Sequence, residues 1–166
     1  MLQKIDPKTL DRNVFSAIGE QWMLITAGTA DNCNTMTASW GGLGVLWGGP
    51  AATCYIRPQR YTKEFVDREE YFTLAFFGEE YRKALSLCGS KSGREVDKVK
   101  ECGFTVKTAV CGAPYFEEAE LVLVCRKRFA QPMDPENIPQ EIQDKWYAAK
   151  DYHTMYIGEI VEVLAR

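Results

Sequence analysis

The chain has 166 residues, 46% of them apolar and 26% charged, which is ordinary for a folded domain with a buried core. A formal net charge of −3 excludes a global basic field that would attract nucleic acid, and no apolar run approaches the roughly 20 residues that span a bilayer. Because the N-terminal segment also lacks a signal-peptide core, we expect one domain over residues 1–166 in the cytoplasm, with neither nucleic-acid nor membrane partners.

The patterns of apolar residues predict strands and helices that alternate irregularly along the chain. In chain order, the predicted elements are a helix at 13–19, a strand at 22–27, an extended run at 35–45, a strand at 51–56, a helix at 62–68, a strand at 71–76, helices at 79–87 and 92–102, a strand at 121–125, a helix at 136–149 and a strand at 154–164. Thr62 is the predicted N-cap of its helix, and Ser92 with Glu95 matches a capping box that opens another. Many strands with inserted helices, without a βαβ repeat, predict a mixed α+β domain centred on a β-barrel.

Several common catalytic and metal-binding patterns are missing from the sequence. The six cysteines form no C-x-x-C pair, so we predict no metal site and mostly buried thiols, with a redox role for Cys33 or Cys88 as the alternative. The glycine-rich run at 41–49 fails the dinucleotide pattern because Trp47 occupies a required glycine position, and no P-loop is present. His153 is the single histidine, and no G-x-S-x-G elbow accompanies it. We therefore expect the difficult chemistry to belong to a bound cofactor.

Two short segments have the residues to hold a large planar ligand with a phosphate tail. Residues 34–41 read N-T-M-T-A-S-W-G, an extended run with small hydroxyls, and residues 57–62 read R-P-Q-R-Y-T, two guanidiniums beside a helix start. A helix N-terminus and arginine side chains suit a phosphate, so flavin mononucleotide (FMN) is one candidate ligand. The alternative is an ordinary strand, turn and helix cap with solvated arginines, and the residues alone favour neither.

Two further motifs follow in the second half of the chain. They read C-G-S-K-S-G-R-E-V-D-K at 88–98 and H-T-M-Y-I-G-E-I-V at 153–161. Together and in this order, the four motifs resemble the flavin reductase-like, FMN-binding split-barrel family, which includes flavoredoxin and the small NAD(P)H:flavin oxidoreductases. The resemblance runs from Trp22 onward. It implies an FMN-binding split β-barrel with inserted helices, which forms a homodimer with FMN near the subunit interface.

The resemblance also implies which residues contact the cofactor. The residues expected to bind FMN are Thr35, Met36, Thr37, Ala38, Ser39 and Trp40 at the ring, Arg57, Gln59, Arg60, Tyr61 and Thr62 at the ribityl-phosphate end, and Ser92, Gly93 and Lys98 in the third motif. His153 is the expected catalytic residue beside the flavin or the nicotinamide donor, where an ordinary pKa of about 6.5 would permit proton exchange. Its alternative role is that of a surface or interface histidine.

The implied function is an FMN-dependent oxidoreductase that takes a hydride from NADH or NADPH and passes electrons to a free flavin, a quinone, a nitro compound or a small metal ion. The alternative is a flavoredoxin-like electron carrier that a redox protein reduces, and a third possibility is a split barrel that binds no flavin. The glycine-rich run at 41–49 differs from the corresponding segment of many relatives. Within this run, Trp47 is expected either to cover the flavin face, which would favour a protein donor, or to pack in the barrel.

Overall fold

The computed structural model describes residues 1–166 and contains ten β-strands and five α-helices. The strands are β1 (Gln3–Ile5), β2 (Met23–Gly28), β3 (Cys33–Ala38), β4 (Gly41–Leu46), β5 (Gly49–Ile56), β6 (Tyr71–Phe76), β7 (Val106–Thr108), β8 (Pro114–Phe116), β9 (Leu121–Pro132) and β10 (Thr154–Ala165). The helices are α1 (Val14–Ser16), which continues as a π-helical turn over Ala17–Gln21, α2 (Tyr61–Arg68), α3 (Arg82–Ser90), α4 (Lys98–Cys102) and α5 (Gln140–Trp146), with 3-10 turns at Pro7–Thr9, Glu79–Tyr81 and Pro135–Asn137. None of the helices combines the length and the apolar surface that crossing a lipid bilayer requires.

One large antiparallel sheet curls until its two ends face each other. Its strand order is β3-β2-β6-β9-β10-β5-β4, and β1 pairs with the C-terminal end of β10. The two end strands, β3 and β4, are joined in the chain by only Ser39 and Trp40. Because three residue steps span at most about 11 Å, the two edges must lie close together across a narrow gap. The barrel-centred mixed fold that the sequence predicts is confirmed, and the barrel is split at this gap.

The two longest strands supply the curvature that closes the barrel. β9 and β10 pair along almost their whole length, and their register shifts after Ile157 and again after Ile160. Such bulges bend a strand and increase its twist. At Gly158 an added Cβ would lie 2.6 Å from the Cβ of Cys125 and 2.8 Å from Cζ of Phe72, so glycine is required for this close approach.

Apolar residues cover both faces of the central strands. All six residues of β2 are buried, with Ile25 in the cluster that fills the barrel and Leu24 in the cluster outside it. The outer cluster includes Leu85 of α3 and packs this helix against the sheet. Because α3 is held there, its C-terminal end stands beside the end of β3 and next to the gap.

The predicted start of the second helix is wrong. Thr62 lies inside α2, whose N-cap residue is Arg60, and no side chain caps this helix. The Thr62 hydroxyl is instead buried, where it accepts a hydrogen bond from the Asn34 side-chain amide at 2.8 Å. The Thr62 hydroxyl therefore bonds to Asn34 on β3, which is distant in the sequence, and does not cap the helix as local spacing predicts.

The predicted capping box is also wrong. The Ser92 hydroxyl accepts from the Arg94 N–H at 3.2 Å and stabilises only a turn. The helix begins several residues later, as α4, with Asp97 as its N-cap. Aspartate caps a helix as well as serine does, and the sequence offers both residues within one short stretch.

Three other element boundaries differ from the prediction. The extended run at 35–45 is interrupted at Ser39 and Trp40, where the chain crosses from one sheet edge to the other. The helix predicted at 136–149 shrinks to α5, which follows Pro139. The strand predicted at 121–125 continues to Pro132, because β10 pairs with its polar and exposed second half.

Candidate functional site

The gap between β3 and β4 opens into a cavity of about 230 Å³, which we call the cradle. Its lining residues are Met36, Thr37, Ala38, Ser39, Trp40, Tyr55, Arg57, Arg60, Gly89 and His153. Eight of these ten are residues that the sequence places at a cofactor site, and all except Tyr55 belong to one of the four motifs. The fold therefore brings motifs that are distant in the chain to one opening.

The end of β3 forms one wall of the cradle and is fixed by α3. The Thr37 hydroxyl donates to the Leu85 carbonyl of α3, and Met36 and Ala38 are buried in the barrel core. The half-buried Ser39 makes no side-chain hydrogen bond within the protein, and no buried side-chain polar atom of the chain lacks a partner. This wall thus presents a fixed strand end with one free, solvent-reachable hydroxyl.

The Arg57 guanidinium is already paired within the chain. It lies 3.0 Å from the Asp151 carboxylate, donates to the Trp146 carbonyl at 2.9 Å and covers the Tyr147 ring at 5.0 Å. Gln59 donates to the same carboxylate at 2.8 Å, and this bond, with help from Arg57, lowers the pKa of Asp151. Arg57 and Gln59 therefore anchor the segment before β10, and Asp151 partly neutralises the charge of Arg57.

Arg60 differs from Arg57 because no carboxylate pairs with it. Its guanidinium donates to the Gly89 carbonyl at 2.8 Å and to the Cys88 carbonyl at 3.5 Å, near the end of α3. Burial lowers the pKa of Arg60, but an arginine remains protonated near neutral pH. The first turn of α2, which follows Arg60, has no side-chain cap. A cation that lines the cradle is therefore followed directly in the chain by the uncapped first turn of α2, an arrangement suited to an anion.

His153 borders the cradle among aromatic side chains. Its Nδ1 lies 2.7 Å from the Tyr147 hydroxyl, and its ring centroid lies 5.1 Å from that of Trp40 and 6.4 Å from that of Tyr55. Burial, assisted by the positive charge of Arg57, lowers the pKa of His153 to about 4. The ring is therefore neutral near pH 7. The ordinary pKa assumed from the sequence is wrong for this position, and with it the expected proton exchange near neutral pH.

Four other predicted residues line a neighbouring cavity of about 510 Å³, namely Thr35, Tyr61, Gly93 and Lys98. The buried Lys98 ammonium donates to the Thr35 carbonyl at 2.7 Å and to the Cys88 carbonyl at 2.9 Å. Burial, followed by the charge of Arg60, lowers the pKa of Lys98 to about 8. Because the Cys88 carbonyl accepts from both cations, Lys98 and Arg60 stand on either side of one wall.

The remaining predicted residues point elsewhere. Gln59, Thr62 and Ser92 line neither cavity, since their side chains bond to Asp151, Asn34 and the Arg94 N–H. Gly93 does contribute through its lack of a side chain, because an added Cβ would lie 1.9 Å from Oδ1 of Asn34. The loop can therefore pack over β3 only with glycine at this position.

Sequence reasoning missed two residues of the cradle. Tyr55 precedes Arg57 by two positions at the end of β5, so strand alternation would have placed both on one face. Gly89 contributes a backbone carbonyl that accepts from Arg60, and this contact exists only in the folded chain. Gly89 lies in the third motif, but nothing in that motif marks its carbonyl as a hydrogen-bond acceptor.

The cysteines near the site fit the interpretation as buried thiols. All six are free, and the Cys88 and Cys102 sulfurs lie 3.7 Å apart, while Cys33 borders the neighbouring cavity. Burial raises the pKa of Cys88 to about 12 and that of Cys33 to about 11. Both thiols therefore stay protonated near neutral pH, which disfavours thiolate chemistry.

Comparison with known proteins identifies the family. The model of the family described as "Flavin reductase like domain" matches residues 15–166. The chain belongs to this flavin reductase-like family. The match confirms the resemblance that the four sequence motifs indicate. No curated protein matches the chain.

Several solved structures share the fold of this flavin reductase-like chain. Flavoredoxin from Methanosarcina acetivorans is 21% identical, with a TM-score of 0.71 over 99% of this chain and 75% of its own. Flavoredoxin of Desulfovibrio vulgaris (Miyazaki F) is 21% identical, with a TM-score of 0.70 over 98% of this chain and 77% of its own. An FMN-binding domain of a flavin reductases-like enzyme from Shewanella baltica OS155 is 17% identical, with a TM-score of 0.70 over 99% and 77%. At these identities the likeness shows the fold.

The donor set of the cradle fits the cofactor that this flavin reductase-like fold suggests. A phosphate needs a cation with spare N–H donors, and Arg60 is a half-buried guanidinium without a carboxylate partner beside an uncapped helix. A planar ring needs a strand end with little side-chain bulk, and residues 36–39 of the first motif provide one. The residues therefore suit a phosphorylated flavin.

Proposed function

We propose that this chain is an FMN-binding oxidoreductase that receives electrons from NADH or NADPH and passes them to a small molecule. The observation that carries the proposal is the contrast between the two arginines of the cradle. Arg57 is paired with Asp151, whereas Arg60 is half-buried and has only carbonyl partners beside the first turn of α2. An unpaired cation in this position lowers stability unless an anion binds there, and the phosphate of FMN is such an anion.

In this proposal Arg60 and the first turn of α2 bind the phosphate, and the end of β3 supports the ring. Bound FMN supplies the hydride and electron chemistry that the side chains of the chain cannot perform. Ser39 offers a hydroxyl to the polar edge of the ring, and the Thr37–Leu85 hydrogen bond keeps this strand end in place. His153 is a neutral ring that Tyr147 orients, and it closes one side of the cradle against water.

The position of Trp47 favours a nicotinamide donor. Trp47 lies in the turn between β4 and β5, is 67% exposed, and lines neither the cradle nor its neighbouring cavity. It neither covers the cradle nor packs in the barrel, so both sequence-based expectations for it are wrong. Trp47 therefore does not cover the cradle within its own chain, which supports a nicotinamide donor over a protein donor.

The test has two stages, binding and reduction. We expect the flavin-free protein to quench FMN fluorescence in a saturable titration, and the reconstituted protein to lose its flavin absorption under anaerobic NADH or NADPH. A protein that binds FMN but stays oxidised with both donors is the flavoredoxin-like carrier, and reduction by a ferredoxin-type protein would confirm that alternative. A protein that binds no FMN refutes the proposal.

We also propose that two copies form a homodimer through the hairpin of β4 and β5. β4 is an end strand of the sheet, and its tip carries Val45, Leu46 and Trp47, which are 79%, 39% and 67% exposed. An apolar tip on an unpaired edge indicates a protein interface. Sedimentation of the variant Trp47→Ser should show more monomer than the wild type, whereas Phe129→Ser, which removes an exposed aromatic ring on β9, should not.

The cytoplasmic location expected from the sequence stays a prediction. A fractionation experiment on cells that express the chain would test it directly.

A further inference from the structure

A second cavity opens on the other side of Trp40 and has a different chemistry. Its volume is about 750 Å³, within the range of cavities that hold small organic ligands. We call it the apolar pocket, and its walls include Phe15, Ile18, Trp40, Tyr55, Ile142 and Trp146. It lies between α1, the start of β4 and α5, and none of its residues belongs to the second or third sequence motif.

The apolar pocket and the cradle share one wall. Ser39, Trp40 and Tyr55 line both cavities. The Trp40 ring meets Trp146 edge-on at 4.9 Å on the pocket side and lies 5.1 Å from His153 on the cradle side. A molecule in the pocket would therefore contact the same residues as a ring held at the end of β3.

The charges of the two cavities differ sharply. The cradle contains Arg57, Arg60 and His153, whereas no Asp, Glu, Lys, Arg or His lines the apolar pocket. Moving an anion into such surroundings is costly without a counter-charge. The phosphates of a nicotinamide dinucleotide or of a second flavin nucleotide would thus have to stay outside it. An uncharged planar ring suits the aromatic walls instead.

Two hydroxyls on the shared wall can bind the oxygens of such a ring. The side chains of Ser39 and Tyr55 make no hydrogen bonds within the protein, although both residues are only half-exposed. Each can donate to a carbonyl oxygen. The pocket therefore combines aromatic walls with free donors at the side nearest the cradle.

We propose that the apolar pocket binds an uncharged quinone and that this quinone is the electron acceptor of the enzyme. The proposal rests on the proposed function, because the electrons come from the cofactor in the cradle. The quinone gains two electrons and two protons and leaves as a hydroquinone. These two electrons and two protons come from the reduced cofactor. In an earlier step, NADH or NADPH reduces that cofactor by donating a hydride, and water supplies the second proton.

The first experiment measures binding without flavin, so that it does not depend on the cofactor. Menadione is titrated into the flavin-free protein while tryptophan fluorescence is recorded, because Trp40 and Trp146 line the pocket and a bound quinone quenches nearby indoles. We expect saturable quenching by menadione and much weaker quenching by a naphthoquinone sulfonate, which carries a negative charge. Equal binding of the two compounds would overturn the proposal.

The second experiment changes the charge of the pocket at Ile142. This side chain lies on α5, is 41% exposed and does not line the cradle, so we expect the chain to tolerate substitution there. We expect Ile142→Arg to weaken the binding of menadione and to strengthen the binding of the sulfonate. Each affinity should change by about tenfold, which is the usual effect of one charge-assisted contact. The control variant Phe129→Arg adds the same charge at an exposed position on β9 that lines neither cavity, and it should behave like the wild type. FMN affinity should stay within about twofold in both variants, because the change lies outside the cradle.

The outcomes separate this proposal from the proposed function. FMN binding without saturable menadione binding overturns the acceptor site and leaves the flavin assignment intact. Absence of FMN binding overturns both, because no electrons can then reach the quinone. Menadione binding that disappears as the protein dimerises shows that a second copy covers the pocket, and this also overturns the proposal. Steady-state reduction of menadione, with a raised KM in Ile142→Arg and an unchanged reduction rate of the flavin, supports it.

Discussion

The cradle and the apolar pocket are two cavities that share Ser39, Trp40 and Tyr55 but have opposite chemistry. The cradle holds two arginines and the single histidine, and its hydrogen bonds reach α3 and the segment before β10. The pocket holds aromatic and aliphatic side chains from α1 and α5, with no charged group.

This difference shows how one narrow gap can serve two kinds of ligand. In the two proposals, an anion binds on the side where Arg60 lacks a carboxylate, and a neutral ring binds on the side without any charge. Trp40 separates the two environments while touching both. The comparison therefore predicts that substitutions on one side change one ligand or one titration and leave the other side unaffected.

The largest expected effect concerns acid stability and belongs to the cradle alone. The folded protein holds the pKa of His153 at about 4, below the ordinary 6.5, so the unfolded chain binds more protons between these values. Stability is therefore fully present above pH 6.5 and falls as the pH is lowered toward 4, by about 3 kcal/mol from this residue. The free energy of unfolding, measured with urea over this pH range, should fall less steeply in His153→Gln than in the wild type. The pocket variant Ile142→Gln should keep the wild-type slope, and identical slopes in all three proteins would contradict the assignment.

The second effect concerns FMN affinity and distinguishes the two arginines. Arg60→Ala should weaken FMN binding by about 1.5–3 kcal/mol, roughly 10- to 150-fold, because a charge-assisted contact with the phosphate is lost. Arg60→Lys keeps the charge without the forked geometry and should recover part of the affinity. FMN fluorescence titrations measure both values.

The matched control for Arg60 is Arg57→Ala. Asp151 already neutralises Arg57, so its removal should cost less FMN affinity than the removal of Arg60. Thermal unfolding of each flavin-free variant must be measured as well, because both arginines also donate hydrogen bonds to backbone carbonyls and their loss can lower stability. An Arg57→Ala protein that loses as much affinity as Arg60→Ala would remove the basis for placing the phosphate at α2.

The cradle could be predicted from the sequence to the extent that its residues lie in compact motifs. Residues 36–40 are consecutive, so their common location needed no tertiary information. The functional difference between Arg57 and Arg60 was not predictable, because it depends on Asp151, which is remote in the chain. The lowered pKa of His153 likewise depends on burial in the folded protein and not on the neighbouring sequence.

The fold was predictable where the apolar pattern is strong and unpredictable where a polar segment pairs with a distant strand. The six buried residues of β2 and the apolar first half of β9 gave clear signals. The exposed second half of β9 gave none, since its pairing with β10 is what makes it a strand. The apolar pocket was missed for the same reason: α1, the start of β4 and α5 are far apart in the sequence, and only the barrel brings them together.

The smallest expected effect tests whether the shared wall truly separates the two cavities. Trp146→Leu removes an edge-on contact with Trp40 and one aromatic wall of the apolar pocket, and an aromatic contact with a bound ring contributes about 0.5–1.5 kcal/mol. Menadione should therefore bind roughly 2- to 10-fold more weakly, while FMN affinity should change by less than about twofold. The Trp146 carbonyl, which accepts from Arg57, belongs to the backbone and stays in place. A fall in FMN affinity as large as the fall in menadione affinity would show that the contact between Trp40 and Trp146 also shapes the cradle. The two cavities would then have to be treated as one site.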